Sequence, residues 1–296
     1  MKSRTTDKAA TAFFYMVAGA FVFLLLLFVG YILYHGRERL NLHFIFSAPT
    51  FMKPGGGIGP QLFNSLYLVV LSMLITVPIG LSAGIYMAEY AKPSPLTRGI
   101  RFCIETLASL PSIVIGLFGL LVFVNATGWG YTLMSGALAV AVLNLPVITT
   151  ISEDAIRNVP SSIKEASLAL GATHWQTICR VIIPSALPAL ITGLIMTAGR
   201  VFGEAAALLY TAGMSSPALD FSDLNPFSYK SPLNPFRPAE TLAVYIWKVN
   251  SEGIAPDSRQ IADGASAILI IAVFIFNIVS RFLGRYLNTK FSGTTK

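Results

Sequence analysis

Two charged residues, Arg200 and Glu204, interrupt an apolar run from about residue 185 to 210. An ionised side chain near the centre of a bilayer costs on the order of 3 kcal/mol on insertion scales, so such residues usually face a bundle interior or water and mark a pathway. Their spacing of four predicts that both lie on one helix face, where they can pair. The forked guanidinium of Arg200 suits a passing oxyanion, which Glu204 would orient. The alternative is a structural ion pair that fastens this helix to a neighbour.

Glu204 also predicts a preference among oxyanions. A carboxylate beside the anion would repel a fully deprotonated dianion and accept a proton from a protonated one. This hypothesis favours hydrogen phosphate over sulfate, which carries no proton at neutral pH.

A polar stretch, residues 160–184, is the second distinctive part of the chain. Ser162 is followed three residues later by Glu165, and Thr173 by Gln176, and both pairs have the spacing of a capping box. The stretch therefore predicts two short helices, with a glycine between them that can adopt a positive φ. An ordinary loop with well-capped helices would show the same pattern. We expect each helix to lay an apolar side on the bundle: Ile163, Ala166 and Leu170 in the first, and Trp175, Ile178 and Ile182 in the second.

Composition places the chain in a membrane. Of 296 residues, 54% are hydrophobic and only 12% are charged, about half the charged fraction of soluble domains. The net charge of +7 is expected from the loops of a membrane protein, and no basic patch interleaved with aromatic residues points to nucleic acid. The three histidines have no ligand spacing, and Cys103 and Cys179 are predicted to lie on the same, reducing side. We expect no disulfide, no metal site and no cofactor.

Apolar runs predict one transmembrane domain over residues 1–296 with six membrane-spanning helices. The first run is longer than a signal-peptide core and precedes no small-residue cleavage site, so we expect it to be retained. Leu242 to Val249 is apolar but too short to span. The spans are predicted at about 12–34, 61–89, 104–124, 131–151, 185–210 and 265–283, and helices two to five contain Pro78, Pro111, Pro146 and Pro188, which can bend them or be ordinary membrane-helix prolines.

Six spans put both termini on one side, and the larger share of Lys and Arg lies on that side. Positive charge is enriched on the cytoplasmic side of membrane proteins. The termini and the loop 152–184 are therefore predicted to be cytoplasmic, and the loop 211–264 external. Within the external loop, Leu224-Asn225-Pro226-Phe227 recurs as Leu233-Asn234-Pro235-Phe236, which predicts turns.

The polar stretch resembles the EAA loop of ABC-importer permeases. Glu165-Ala166-Ser167 is followed after three residues by Gly171, and after nine more by Val181-Ile182-Ile183-Pro184; the family pattern is Glu-Ala-Ala, three residues, Gly, nine residues, Ile-x-Leu-Pro. Ser167, Val181 and Ile183 depart from it by small changes of shape. The resemblance implies that Glu165, Ala166, Ser167, Gly171 and Pro184 belong to the element that couples the permease to its ATPase.

A second resemblance is narrower. Four parts of the chain are similar to the phosphate-transporter permeases of the PstA type. They are Gly199 to Gly213, Ala83 to Tyr90, Leu110 to Phe118, and the glycines 55–57 before the second span. The resemblance implies an all-α integral membrane protein, a six-transmembrane-helix bundle of the type I ABC importer permease (MetI-like) kind. It also implies a bacterial inner-membrane heterodimer with a PstC-like permease, two PstB-like ATPase subunits and an external PstS-like phosphate-binding protein.

Several classes of function remain to be compared. Glycines 55–57 lack the Gly-Lys-Ser/Thr and the preceding strand of a phosphate-binding loop, and no Asp-rich metal cluster is present, so we expect no ATP hydrolysis by this chain. The chain lacks convergent His, Cys or paired carboxylates in its spans, which disfavours an enzyme. A PstC-like subunit, a permease for another oxyanion and a secondary anion transporter are the alternatives to a PstA-type subunit that imports phosphate.

Overall fold

The computed structural model describes residues 2–50, 54–253 and 256–292. Met1 and Lys296 of the predicted domain, and residues 254–255 of the predicted external loop, lie outside the described residues. Nearly every described element is helical. In chain order the helices are α1 (Lys2–Gly36), α2 (Leu42–Phe46), α3 (Gly59–Ile85), α4 (Pro95–Ser109), α5 (Ser112–Gly119), α6 (Leu133–Arg157), α7 (Ser161–Ala169), α8 (His174–Thr177), α9 (Ile183–Phe202), α10 (Ala206–Leu209), α11 (Leu242–Glu252) and α12 (Ser258–Ser292).

Within the described residues, five continuous helical stretches are long and apolar enough to cross a membrane, and α4 with the following stretch adds a sixth if the two are counted as one span. Wide π-helical turns extend three of the helices: Tyr86–Tyr90 follows α3, Leu120–Ala126 follows α5, and Ile178–Ile182 joins α8 to α9. Counted in this way, the described residues contain the six predicted spans, one of which is not straight.

The centre of the bundle is the contact between α3 and α6, which run parallel to each other. A Cβ atom at Gly80 would lie 2.7 Å from Ile148, and one at Gly84 would lie 2.4 Å from Ser152. Because no side chain separates the two backbones there, they approach closely, as small residues allow in membrane bundles. Along the first halves of these two helices, buried residues of α3, α6, α9 and α10 form the largest apolar cluster.

The third predicted span is broken rather than straight. A bend of 100° separates α4 from the stretch Ser112–Ala126, and Leu110, which precedes Pro111, has an extended backbone. A residue before proline is disfavoured in the helical region, and Pro111 cannot donate to the preceding turn. The predicted span 104–124 thus combines the end of one helix with most of another. α4 begins at Pro95, after Ser94 accepts a hydrogen bond from the Thr97 amide at 3.2 Å.

The remaining spans differ from the predictions mainly at their ends. α6 continues past residue 151 to Arg157, and α12 covers Ser258–Ser292, beyond the predicted 265–283 at both ends. α9 ends at Phe202 instead of 210. Pro78, Pro146 and Pro188 lie inside continuous helices, and each of their carbonyl oxygens accepts a hydroxyl four residues later, from Ser82, Thr150 and Thr192 respectively.

We call residues 203–241 the long segment, and it is folded against the end of the bundle where α3 and α6 begin. Its last part is buried, and the backbone amides of Leu133 and Met134 at the start of α6 donate to carbonyl oxygens of Arg237 and Pro235 at 3.0 and 2.8 Å. These contacts satisfy amides that a helix start leaves unpaired. The segment Leu242–Val249, predicted to pack or lie at an interface, begins α11, whose first residues are buried.

Candidate functional site

We call residues 158–182 the connector, and it lies at the opposite end of the bundle from the long segment. It contains α7 and α8, so the two predicted short helices are present. Thr173 and Gln176 form the predicted capping box at the start of α8. The capping box predicted for Ser162 and Glu165 is wrong, because α7 already begins at Ser161, after Pro160, with no side-chain cap.

Gly171 makes the turn between α7 and α8 with the predicted positive φ, +85°. Its amide donates to the Leu168 carbonyl at 2.9 Å, and the Ala172 amide donates to Ser167 at 3.3 Å, which closes the end of α7. A hydrogen bond of 3.0 Å between the hydroxyls of Ser167 and Thr177 joins α7 to the end of α8. The connector is therefore a single folded unit.

The predicted apolar sides of the connector are only partly correct. Ile178 and Ile182 are buried against α6 and α9, as predicted. Leu170 is 89% exposed and Trp175 58% exposed, and Ile163 and Ala166 are exposed as well. These side chains of the connector are therefore not covered by the bundle. The connector thus offers an apolar surface to the outside.

Glu89, in the π-helical turn after α3, binds both helices of the connector. Its side chain is only 8% exposed, and its Oε2 atom forms an ion pair with Lys164 of α7 and lies 3.1 Å from His174 Nε2 of α8. The His174 ring also packs edge-on against Tyr90 at 5.0 Å. One carboxylate therefore holds α7 and α8 against the end of α3.

Glu153 of α6 forms a neighbouring charge cluster. Its Oε1 atom accepts from Arg101 of α4 at 2.7 Å and from Arg157 at 2.8 Å. Arg157 also donates to the Met87 carbonyl at 2.9 Å, two residues before Glu89. The ends of α3, α4 and α6 and the connector are thus linked by one continuous set of polar contacts.

Arg200 lies about halfway along the bundle. On one side of it in the chain, Gly193 packs on Ile151 of α6, and on the other side, Leu208 packs on Gly136. Arg200 is therefore level with the middle of α6. It is exposed on a face of α9 that no other described helix covers, and its guanidinium forms no ion pair or hydrogen bond within the described residues. The other exposed positions on this face are Ser185, Ala189, Thr192 and Met196.

The predicted pairing of Arg200 with Glu204 on one helix face is wrong. α9 ends at Phe202, and Gly203 leads into a break before α10. Glu204 is half-buried, and its Oε1 atom accepts the Ala207 amide at 3.2 Å at the start of α10. The carboxylate is thus fixed by the short helix rather than by the arginine, which leaves the guanidinium available to another anion.

The long segment is organised around a buried cation, Arg237. Its guanidinium donates to Asn64 Oδ1 of α3 at 2.8 Å and to the carbonyls of Ser231, Pro232 and Pro238. Burial lowers the pKa of this group to about 10, so it is still charged at neutral pH. Nearby, burial raises the pKa of Glu240, which is hydrogen-bonded to Gln61 at 3.0 Å and paired with Lys248 at 3.1 Å.

The other predicted site residues lie in the connector or directly after it. Glu165 and Ala166 are exposed on α7, Ser167 contacts α8, and Pro184 is in the first turn of α9. Sequence reasoning missed the roles of Glu89 and Glu153: the partners of Glu89, and Arg101 beside Glu153, are distant in sequence, whereas the spacing of four between Glu153 and Arg157 could have indicated that pair. Within the described residues, no three His, Cys, Asp or Glu side chains are grouped as a metal site would require.

Comparison with known sequences gives a consistent picture. Residues 80–293 match the family described as the binding-protein-dependent transport system inner membrane component. The chain is 54% identical to the probable ABC transporter permease protein YqgI of Bacillus subtilis (strain 168), over 98% of this chain and 99% of that protein. It is 36% identical to the phosphate transport system permease protein PstA of Xylella fastidiosa (strain 9a5c), over 58% of this chain and 60% of that protein.

Solved structures bear on the fold. One similar chain is from a bacterial alginate ABC transporter, solved in complex with an alginate-bound periplasmic protein. Its TM-score is 0.65 at 14% sequence identity, and the match covers 95% of this chain and 96% of the alginate-transporter chain. The methionine ABC transporter MetNI, in inward-facing conformations, has one with a TM-score of 0.58 and 18% identity, covering 76% of this chain and 94% of its own. The predicted all-α fold of the type I importer permeases is thereby confirmed.

Proposed function

Because the chain belongs to the family of binding-protein-dependent transport system inner membrane components, and is therefore an ABC importer permease subunit, we propose that its substrate is inorganic phosphate and that it is the PstA-type subunit. The observation that carries the proposal is Arg200, a cation halfway along the bundle on an uncovered face of α9, whose guanidinium has no partner among the residues that the structure describes. A buried or membrane-embedded guanidinium without a protein partner suits a passing oxyanion. The PstA relative, at 36% identity, supports phosphate as that anion.

The uncovered face of α9 supports a heterodimer with a PstC-like permease. Ser185, Thr192 and Arg200 lie along this face with small or flexible neighbours, and a second permease opposite it would enclose a path. Each chain would then form half of the translocation pathway. Lipid would surround the remaining exposed apolar surface.

The connector is proposed to dock on one of two PstB-like ATPase subunits. Its exposed Leu170 and Trp175 are side chains that a partner protein would cover. Glu165, Ala166, Ser167 and Gly171 belong to this coupling element, and Pro184 lies in the first turn of α9, the helix that follows the connector. ATP hydrolysis belongs to the ATPase subunits, and the movement of the connector would open the path alternately to each side.

The distribution of positive charge supports the orientation. With the connector and both termini in the cytoplasm, most Lys and Arg residues lie inside. The long segment would then face outward in the bacterial inner membrane, towards a PstS-like phosphate-binding protein.

Arg200→Ala in the reconstituted complex tests the proposal. Loss of a charged hydrogen bond to the substrate, worth about 1.5–3 kcal/mol, is expected to lower phosphate uptake by roughly 10- to 100-fold. The thermal midpoint should not fall, since the Arg200 guanidinium has no ion pair or hydrogen bond within the described part of the chain. Arg259→Ala, which removes an exposed cation at the start of α12, is the control and should transport normally.

Glu204→Gln tests the selectivity. Glutamine keeps an oxygen that accepts the Ala207 amide, so the break before α10 is preserved. The preference for phosphate over sulfate is expected to fall. An unchanged preference would show that Glu204 does not set the selectivity of the pathway. Sulfate import by the unmodified complex would favour another oxyanion, and uptake without the ATPase, driven by an ion gradient, would favour a secondary transporter.

A further inference from the structure

The connector reaches the bundle by two routes. One is the chain itself, which continues through the π-helical turn Ile178–Ile182 into α9. The other is the carboxylate of Glu89, which joins α7 and α8 to the end of α3 without a covalent link. We propose that Glu89 is a positioning residue that transmits the movement of the connector to α3, so that α3 and α9 move together. This inference rests on the proposed function, since it presumes that an ATPase moves the connector.

The geometry makes Glu89 a shared attachment. A single oxygen, Oε2, accepts a hydrogen bond from Lys164 of α7 and is also within hydrogen-bond distance of His174 of α8. Because the Ser167 and Thr177 hydroxyls are also hydrogen-bonded, α7 and α8 cannot separate from each other without loss of a contact. A displacement of either helix therefore pulls on the same carboxylate.

The attachment continues into the centre of the bundle. Glu89 lies two residues after Met87, whose carbonyl accepts Arg157 of α6, and Arg157 and Arg101 share Glu153. Directly before this turn, Gly84 brings the α3 backbone against α6. Movement of the turn would thus pass to α6 and to α4, the helix that follows α3 in the chain.

The exposure of the charged groups suits an ion pair that can break and form again as the connector moves. The side chains of Lys164 and His174 are 32% and 37% exposed, so water can solvate them if the pair opens. Only Glu89 is withdrawn from water. Neutralising Glu89 should therefore loosen the connector without leaving a buried, unpaired cation, which is the usual cause of unfolding when an ion pair is broken.

Glu89→Gln in the complete complex, reconstituted with its ATPase, partner permease and binding protein, tests the inference. The complex should assemble and hydrolyse ATP at its basal rate. Stimulation by phosphate-loaded binding protein should fall at least fivefold, and the ATP hydrolysed per phosphate imported should rise several-fold. Asp154→Asn is the matched control and should behave as the unmodified complex. It neutralises an exposed carboxylate of α6 at the same end of the bundle as Glu89.

Exchanging the charges separates positioning from a loss of structure. The double variant Glu89→Lys with Lys164→Glu restores an ion pair between the same two positions and should recover much of the stimulation that either single variant loses. A normal ratio of ATP to phosphate in Glu89→Gln would overturn the inference, as would a double variant no better than the worse single one. If the unmodified complex shows no stimulation by phosphate-loaded binding protein, the proposed substrate fails instead.

Discussion

The connector end holds two largely buried carboxylates, Glu89 and Glu153, whereas the long-segment end contains a fully buried cation, Arg237, beside the buried carboxylate of Glu240. Glu89 and Glu153 are paired with Lys, His and Arg side chains that are a third to a half exposed. Arg237 is buried among neutral oxygens, three of them from the seven residues around it in the chain. Water can replace the partners of the first group but not those of the second.

The difference shows how one chain combines a long-segment end with fixed contacts and a connector end whose contacts can change. Exposed ion pairs contribute little net stability because solvent competes for both charges. A buried polar group that loses its partners costs the full desolvation penalty. The long segment is therefore held in one conformation, while the connector can change its contacts at low cost.

The largest effect is expected from Arg237→Ala. The variant leaves Asn64 Oδ1 and buried backbone carbonyls without a donor and opens a cavity, so we expect a loss of about 3 kcal/mol or more, which lowers the thermal midpoint by roughly 6–12 °C. Thermal unfolding in detergent measures it. Lys230→Ala, which removes an exposed cation of the same segment, is the control. Equal midpoints for the two variants would show that Arg237 does not hold the long-segment end more rigidly than an exposed cation does.

The repeated sequence Leu-Asn-Pro-Phe provides a smaller, internally matched test. Asn225 and Asn234 accept the amide two residues later, at 3.1 and 2.8 Å, so the two turns are locally alike. Asn234 is buried and also donates to the Ser228 carbonyl at 3.1 Å, whereas Asn225 is exposed. Asn234→Ala should cost about 1–2 kcal/mol and Asn225→Ala less than about 0.5 kcal/mol, as measured by chemical or thermal unfolding.

The smallest effect is expected from Glu153→Gln at the connector end. Arg101 and Arg157 are 47% and 50% exposed, so water solvates them once the carboxylate is gone. The expected cost is below about 1 kcal/mol, a fall of less than about 4 °C in the midpoint. High salt should narrow the gap to the unmodified protein, since salt screens exposed charge pairs. A loss as large as that of Arg237→Ala would show that the connector end is equally rigid.

Hydropathy was sufficient to locate the spans but not the bend in the third. The apolar run through Leu110 and Pro111 was predicted as one helix, although the proline itself was noted. The overlooked signals were Ser94 and Pro95, which begin a helix, together with Arg98, Arg101 and Glu105 on a helix that also carries exposed apolar residues. Such a helix is typical of a membrane surface rather than of a span.

The site was predicted well where local chemistry decides it and poorly where distant residues meet. Thr173, Gln176 and Gly171 behave as their spacing indicated. The pairing of Arg200 with Glu204 failed because a glycine at 203 ends the helix between them. Glu89 and Lys164 are separated by 75 residues, and no pattern within one segment can indicate that such residues form an ion pair.

The break at Pro111 bears on how the protein is made. The stretch Ser112–Ala126 extends only about 22 Å at 1.5 Å per residue, less than the roughly 30 Å of a hydrocarbon core, and α4 is too amphipathic to complete it. We therefore expect the segment to be unstable across the bilayer as it leaves the ribosome. Its partners in α6 and α10, which cover Gly116 and Gly119, are synthesised later. We accordingly expect stable insertion of the third span to be a late step in biogenesis.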